Sequence, residues 1–318
     1  MDTPLVSINT LTYNHAPYIR QCLDGIMMQK TTFPFEVLIH DDASTDGTAD
    51  IIREYEVRYP DIIKPIYQTE NHYSKGFSIN KEFMFPRIRG KYVAFCEGDD
   101  YWIDPLKLQK QIDFLESHPD YSICGGRYWV MNTENPDNLF EQSWMINGMA
   151  KHPEGRTITL DSFFDNYLLW ILTTCLRSEC LKDLNNFGFI KDDIVFAVAL
   201  EKGKGFIFPD YFGVYRQHPG GIWAGINYHQ KKKQNYPILQ EMHPHFYHKS
   251  KSFRKWYFRD IIGLYFFDIT QSNHILKDYW KMIKFTFSGS LDTFPYRIKY
   301  FTIDSFKYLF RYIRKKIR

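Results

Sequence analysis

The residues of this 318-residue chain that are best suited to do chemistry are carboxylates, gathered where short apolar runs stop. Tyr92-Val-Ala-Phe-Cys96 has the pattern of a buried strand and runs directly into Glu97, Asp99 and Asp100, with Gly98 between them. Three acids so close repel one another unless a positive charge joins them. A divalent, oxygen-preferring cation such as Mg²⁺ or Mn²⁺ fits, and it also holds a diphosphate. Taken alone, the same residues fit a solvated acidic turn equally well. A second apolar run, Phe35 to His40, ends in Asp41-Asp42. In a parallel sheet both strand ends lie on one rim, where open α/β folds bind their ligands. That coincidence favours a ligand site over a turn.

The elements that must position these acids follow from periodicity. Leu5 to Leu11, Phe35 to His40, Ile62 to Tyr67 and Tyr92 to Cys96 read as strands. Between them lie helical spacings at Ile19, Cys22, Leu23, Ile26 and Met27, then at Ile51, Ile52, Tyr55 and Tyr59, then at Ile79, Phe83 and Met84. The alternation predicts an α/β fold, a Rossmann-like and mostly parallel sheet flanked by helices. Further on, a helix is expected after Pro105, a strand over Tyr121 to Met131, and an irregular polar loop from Asn132 to Arg156. Next come a helix over Thr157 to Tyr167, an extended run Trp170 to Leu176, a short helix Ser178 to Leu184, a helix opened by Lys191-Asp192-Asp193, and two short strands around Pro209. From about Tyr228 the chain turns helical, basic and aromatic, so the expected division is residues 1–228 as a catalytic domain and 229–318 as a helical extension.

Bulk composition narrows the class. Hydrophobic residues make up 44% and charged residues 24%, enough for a large core and too balanced for disorder. The net charge of +3 hides an asymmetry: from Arg297 onward there are eight bases against one acid, Asp304. Phe306, Phe310, Ile313 and Ile317 form an apolar stripe beside a basic one of Lys307, Arg311, Arg314 and Arg318, the pattern of a helix lying on an anionic membrane. The five cysteines show no CxxC spacing and read as reduced core residues. A cytoplasmic protein with no nucleic-acid partner is expected, and the last helix fits either the inner face of a membrane or docking on the core with a solvated basic face.

Three segments together, Val6-Ser-Ile-Asn-Thr-Leu-Thr-Tyr-Asn14, His40-Asp-Asp-Ala-Ser-Thr-Asp-Gly-Thr48 and Glu97-Gly-Asp-Asp-Tyr-Trp102, resemble the family 2 glycosyltransferases in order and spacing. The resemblance implies the GT-A fold, a nucleotide-diphosphate sugar donor, inversion at the sugar and a Mn²⁺ or Mg²⁺ cofactor. It implies that Thr12 and Tyr13 flank the nucleotide base, that Asp42 hydrogen-bonds it (usually uracil) with Asp41 alongside, and that Lys75 approaches the nucleotide. Asn80 matches an Asn common in the third helix. Glu97, Gly98, Asp99 and Asp100 match the DxD region. A Glu at its first position leaves open which acids hold the metal; Asp99 is favoured, with Glu97 and Asp100 close seconds. Lys191-Asp192-Asp193 resembles the Glu-Asp motif whose Asp is the catalytic base, which points to Asp192 with Asp193 in reserve. Tyr215-Arg-Gln-His218 resembles an Arg-x-His segment, which makes His218 a metal ligand beside Asp99 and Asp100, with Gly220, Gly221 and Trp223 in a closing loop. The implied acceptor is a glycan or lipid-linked hydroxyl in cell-surface polysaccharide synthesis. Two rivals use a similar frame: a sugar nucleotidyltransferase, which usually shows a Gly-rich basic loop where this chain has Thr12-Tyr-Asn-His-Ala-Pro17, and a non-catalytic carbohydrate-binding protein, which would have lost the acids.

Overall fold

The computed structural model describes residues 3–222, 224–271, 281–286 and 294–302. The chain divides into two compact units, residues 1–221 and 222–318. In the first unit the strands are β1 (Val6–Thr12), β2 (Phe35–Asp41), β3 (Ile63–Tyr67), β4 (Tyr92–Phe95), β5 (Tyr101–Trp102), β6 (Tyr121–Asn132), β7 (Asn135–Phe140), β8 (Arg156–Ile158), β9 (Cys175–Arg177) and β10 (Lys204–Gln217). Its helices are α1 (Ile19–Met27), α2 (Thr48–Arg58), α3 (Lys107–Ser117), α4 (Ser143–Met149), α5 (Leu160–Asp165) and α6 (Asp192–Lys202). The sheet order is β3-β2-β1-β4-β9-β6-β10-β5, with β7 paired to β6 and β8 to β10. The first four strands are mutually parallel and β9 then reverses direction. Val6, Ile8, Val37, Ile39, Val93 and Ala94 are wholly buried, as a sheet covered on both faces requires. All five cysteines are free and buried.

Several sequence expectations change in detail. The stretch around Pro209 is one 14-residue strand, β10, not two. Its pairing with β6 slips between Phe208 and Tyr211, so the proline's missing N–H falls in a bulge and the strand continues beyond it. Residues 132–156 are not an irregular loop: β7 folds back on β6, and α4 follows. Every β7 residue is exposed, so no apolar alternation marked it as a strand. The helix expected around Ile79 to Met84 is a single wide turn, Asn80–Met84, closed off by a 3₁₀ turn that carries Pro86. Over Thr157 to Tyr167 the helix is shorter, because Thr159 and Ser162 cap each other and start α5 at Leu160. Trp170 to Leu176 includes a 3₁₀ turn, Ile171–Thr173, before β9.

In the second unit α7 (Tyr228–Phe246) and α8 (Lys251–Gln271) pack together, with Lys232 paired to Asp260 at 2.9 Å. Ile262 and Met282 form a small core with Phe285, Tyr300 and Phe301 against it. The amphipathic segment from Asp304 to Arg318, and Trp223, lie outside the described residues. Among the described residues no helix is long and apolar enough to cross a membrane.

Candidate active site

Because β1, β2 and β4 run parallel, their C-terminal ends bring Thr12, Asp41-Asp42 and Glu97 to one rim. Backbone bonds beyond the strands tie the three turns together: the Asp42 N–H donates to the Thr12 carbonyl at 3.0 Å and the Gly98 N–H to the Leu11 carbonyl at 2.9 Å. Gly98 is required by space. A Cβ there would stand 2.8 Å from both Cβ and Oγ1 of Thr12, and 3.0 Å from Nδ1 of His15.

The Glu97–Asp100 turn faces two histidines and an arginine. Nε2 of His218 lies 3.1 Å from Asp99 Oδ2, and Nε2 of His15 lies 3.8 Å from the same oxygen. The Arg216 backbone N–H donates to Asp100 Oδ1 at 2.8 Å. Its guanidinium donates to the Asp99 carbonyl at 2.5 Å and to Gln21 Oε1. It also sits 4.4 Å from the Tyr101 ring centroid and 5.3 Å from that of Tyr18. Arg216 thus fastens the acidic turn to α1 and to the end of β10. Burial pushes the Asp100 carboxyl well up, and the charges of Asp99 and Glu97 push it further. Glu97 is raised well above the usual range by burial and then by Asp99 and Asp192. Burial opposes ionisation of Asp99 too, but the His218 hydrogen bond and the two imidazoles outweigh it and leave that carboxyl below its ordinary value.

The donor atoms of His15, Asp99 and His218 lie within 4.8 Å of one another, and so do those of Glu97, Asp99 and Asp100. Asp100 Oδ2 and His15 Nδ1 are buried and, among the described residues, have no hydrogen-bond partner. Crowded acids, converging imidazoles and orphaned polar atoms are the donor set a divalent cation with its waters would satisfy.

Asp192 opens α6 next to this cluster. Its side chain is open to solvent, yet enough protein surrounds it that burial, followed by the charge of Asp193, lifts its carboxyl to about 7 against the opposing pull of Lys191. Tyr215 is raised by burial and then by Asp100, Glu97, Asp99 and Asp192, so one ring feels both groups of acids. Tyr167 is likewise raised by burial and by the charges of Asp193 and Asp192.

The other sequence candidates fall around this centre. Thr12 is buried and Tyr13 exposed. Asp41 accepts from the Ser44 hydroxyl. Asp42 accepts the backbone N–H groups of His72 and Tyr73, both at 2.9 Å, and so holds the loop after β3. Tyr73 in that loop is raised by burial and by the charge of Glu97. Lys75 pairs with Glu70 at the surface. Asn80 accepts from Asn9 of β1 at 2.8 Å. His15 and Gln21 were not picked out from the sequence, and Arg216 only as the arginine of the Arg-x-His segment, without its hold on the acidic turn. The usable signal for His15 was its place in the turn after β1, on the rim already marked by acids.

Residues 7–174 match the family model described as Glycosyl transferase family 2. The chain belongs to glycosyl transferase family 2. An uncharacterised protein of Mycobacterium tuberculosis is 35% identical over 221 residues, which is 69% of this chain and 60% of that protein. The chain therefore spans about three fifths of that relative's length. A relative in Escherichia coli, named UDP-Glc:alpha-D-GlcNAc-diphosphoundecaprenol beta-1,3-glucosyltransferase WfaP, is 34% identical over 149 residues, covering 47% of this chain and 52% of its own. Among solved structures, S. aureus TarS 1-349 in complex with UDP-GlcNAc superposes with a TM-score of 0.58 at 19% identity, covering 93% of this chain and 79% of that one. At that identity the likeness shows the fold alone, which is GT-A.

Proposed function

We propose that this protein is an inverting, metal-dependent glycosyltransferase that moves a sugar from a nucleotide-diphosphate donor, a UDP-sugar in the favoured reading, to a hydroxyl of a glycan or lipid-linked acceptor in cell-surface polysaccharide synthesis. The observation that carries the reading is Asp192: an open carboxyl at the start of α6, raised to about 7, electrostatically coupled to the Glu97 cluster. A carboxylate poised near neutrality takes a proton from an acceptor hydroxyl as its oxygen attacks the anomeric carbon. The sugar–phosphate bond breaks as the new glycosidic bond forms, and the proton ends on Asp192. Direct displacement of this kind inverts the anomeric centre. Asp99, His218 and the neighbouring acids would hold a divalent cation, which when bound supplies Lewis-acid stabilisation to the leaving diphosphate. Thr12 and Tyr13 would flank the base, as the family resemblance implies, and Asp42 orders the loop after β3 by accepting the backbone N–H groups of His72 and Tyr73. WfaP, with its UDP-glucose donor and diphosphoundecaprenol-linked acceptor, supports a UDP donor and a lipid-linked acceptor.

The test is a panel of nucleotide sugars with Mn²⁺ or Mg²⁺, reading nucleoside diphosphate release. Release from one donor, lost when Asp99 is changed to Asn, is expected. Cleavage yielding nucleoside monophosphate would point to a different reaction class, and no turnover of any donor would favour a binding role.

A further inference from the structure

Asp192 needs an acceptor hydroxyl within reach, and four aromatic side chains gather beside it. Trp144 lies on α4, Tyr167 and Trp170 on the link from α5 to β9, and Tyr215 near the end of β10. The ring centroids of Trp144 and Trp170 are 6.2 Å apart, those of Trp144 and Tyr167 6.4 Å, and those of Trp170 and Tyr215 5.2 Å. Tyr167 in turn lies 6.3 Å from Phe196, which stands one helical turn after Asp192 on the same face of α6. The charges of Asp193 and Asp192 act on Tyr167, and that of Asp192 on Tyr215, so the rings border the acids at both ends. All four are only partly buried, whereas the rings behind them, Tyr128, Phe163 and Phe196, are at most 1% exposed. A rigid inner layer thus holds an outer one that keeps aromatic surface open to water. The Tyr128 hydroxyl in that inner layer is buried and, among the described residues, has no hydrogen-bond partner. The charges that act on it come from Tyr215, Asp100 and Glu141. Its desolvation cost is one that a hydroxyl-bearing ligand, or a water carried with it, would relieve.

We infer that Trp144, Tyr167, Trp170 and Tyr215 form the acceptor subsite, and that it takes the pyranose ring of a sugar rather than the apolar chain of a lipid. The inference rests on the transferase reading for what happens to that sugar, not for its binding. A pyranose ring carries C–H bonds on its faces and hydroxyls around its edge. The C–H face fits the electron-rich face of an indole or phenol, and the hydroxyls need acceptors at the border of the platform. Asp192 and Asp193 supply those acceptors at the Tyr167 end. An alkyl chain would use the rings but offer the carboxylates no hydrogen bond as it desolvated them.

The test uses the full chain with octyl glycosides of glucose, galactose, mannose and N-acetylglucosamine, and with octanol as the chain alone. Saturation-transfer NMR reads which ligand protons touch the protein. At least one glycoside should have its ring protons saturated more strongly than its alkyl protons, and octanol should not displace it. Trp144 is the position to change, because Trp170 also stacks on Tyr128 and its loss would open the layer behind. Trp144→Ala should weaken that glycoside about tenfold, the loss of one stacked aromatic face, with Trp144→Phe in between. Thermal melting accompanies both variants, and the phenylalanine form covers an alanine variant that does not fold. No glycoside with saturated ring protons, displacement by octanol, or ring contacts as strong in the folded variants as in the parent would overturn the inference. A glycoside held through Trp144 by a protein that releases nucleoside diphosphate from no donor would sink the transferase reading alone. An active transferase whose glycoside makes no ring contact that depends on Trp144 would sink this one alone.

Discussion

A general base with a carboxyl near 7 has a pH profile that an ordinary aspartate lacks. At pH 8 about nine-tenths of such a group is ionised and at pH 6 about one-tenth, so the rate constant kcat/KM should fall about tenfold per pH unit below about pH 6.5. A carboxyl at the ordinary value of 3.8 would leave the profile flat across pH 5.5 to 8. The neighbours supply signed controls. Asp193 raises the Asp192 carboxyl, so Asp193→Asn should move the acid limb to lower pH; Lys191 lowers it, so Lys191→Ala should move the limb to higher pH. Asp192→Asn should cost about 10²- to 10⁴-fold in rate. Its effect on stability has the opposite sign. The carboxyl is harder to ionise in the folded chain than in the unfolded one, so its charge opposes folding above the ordinary value. The asparagine variant should therefore gain in Tm progressively from about pH 4 to about pH 7. The assay is initial-rate nucleoside diphosphate release in overlapping buffers, with thermal melting at the same pH values. A flat profile, or an acid limb that neither neighbouring substitution moves, would refute the assignment of Asp192.

Two further outcomes follow from the rim. Gly98→Ala would press a methyl group to 2.8 Å from Thr12, where ordinary contact begins near 3.4 Å, so the acidic turn must retreat by about 0.6 Å. A loss of about 1–3 kcal/mol in stability and of up to about 10²-fold in kcat is expected, and unchanged melting and turnover would count against the close packing. Arg216→Lys keeps the charge but not the planar fork that reaches both the Asp99 carbonyl and Gln21. Turnover should drop about tenfold or more with a Tm several degrees lower; a lysine variant as active and stable as the parent would show that the clamp does not position the acids.

The sequence by itself determined the α/β class, the first four strands and the clustering of acids at their ends, because each depends on local features: short apolar runs, helical spacing between them, and carboxylates at the strand ends. Parallel strands must end on one rim, so Asp42 and Glu97 were legible as residues of the same rim before any coordinates. Asp192 and His218 were legible only through resemblance, since nothing local distinguishes Asp192 from a helix-capping acid. The tertiary structure alone decided the rest. Reversal of β9 and the bulged run of β10 past Pro209 carry Arg216 and His218 back to a turn more than a hundred residues earlier in the chain, and no periodicity records such a return. The exposed β7 left no alternation to read. His15 looked like one residue of a polar turn until Ser44, Asp46 and Thr48 were seen to hold that turn against the acids. Charge behaviour belongs to the same category: Glu97, Asp99 and Asp100 are neighbours in sequence, but burial and the two imidazoles push them in opposite directions, and both of those causes come from distant parts of the chain.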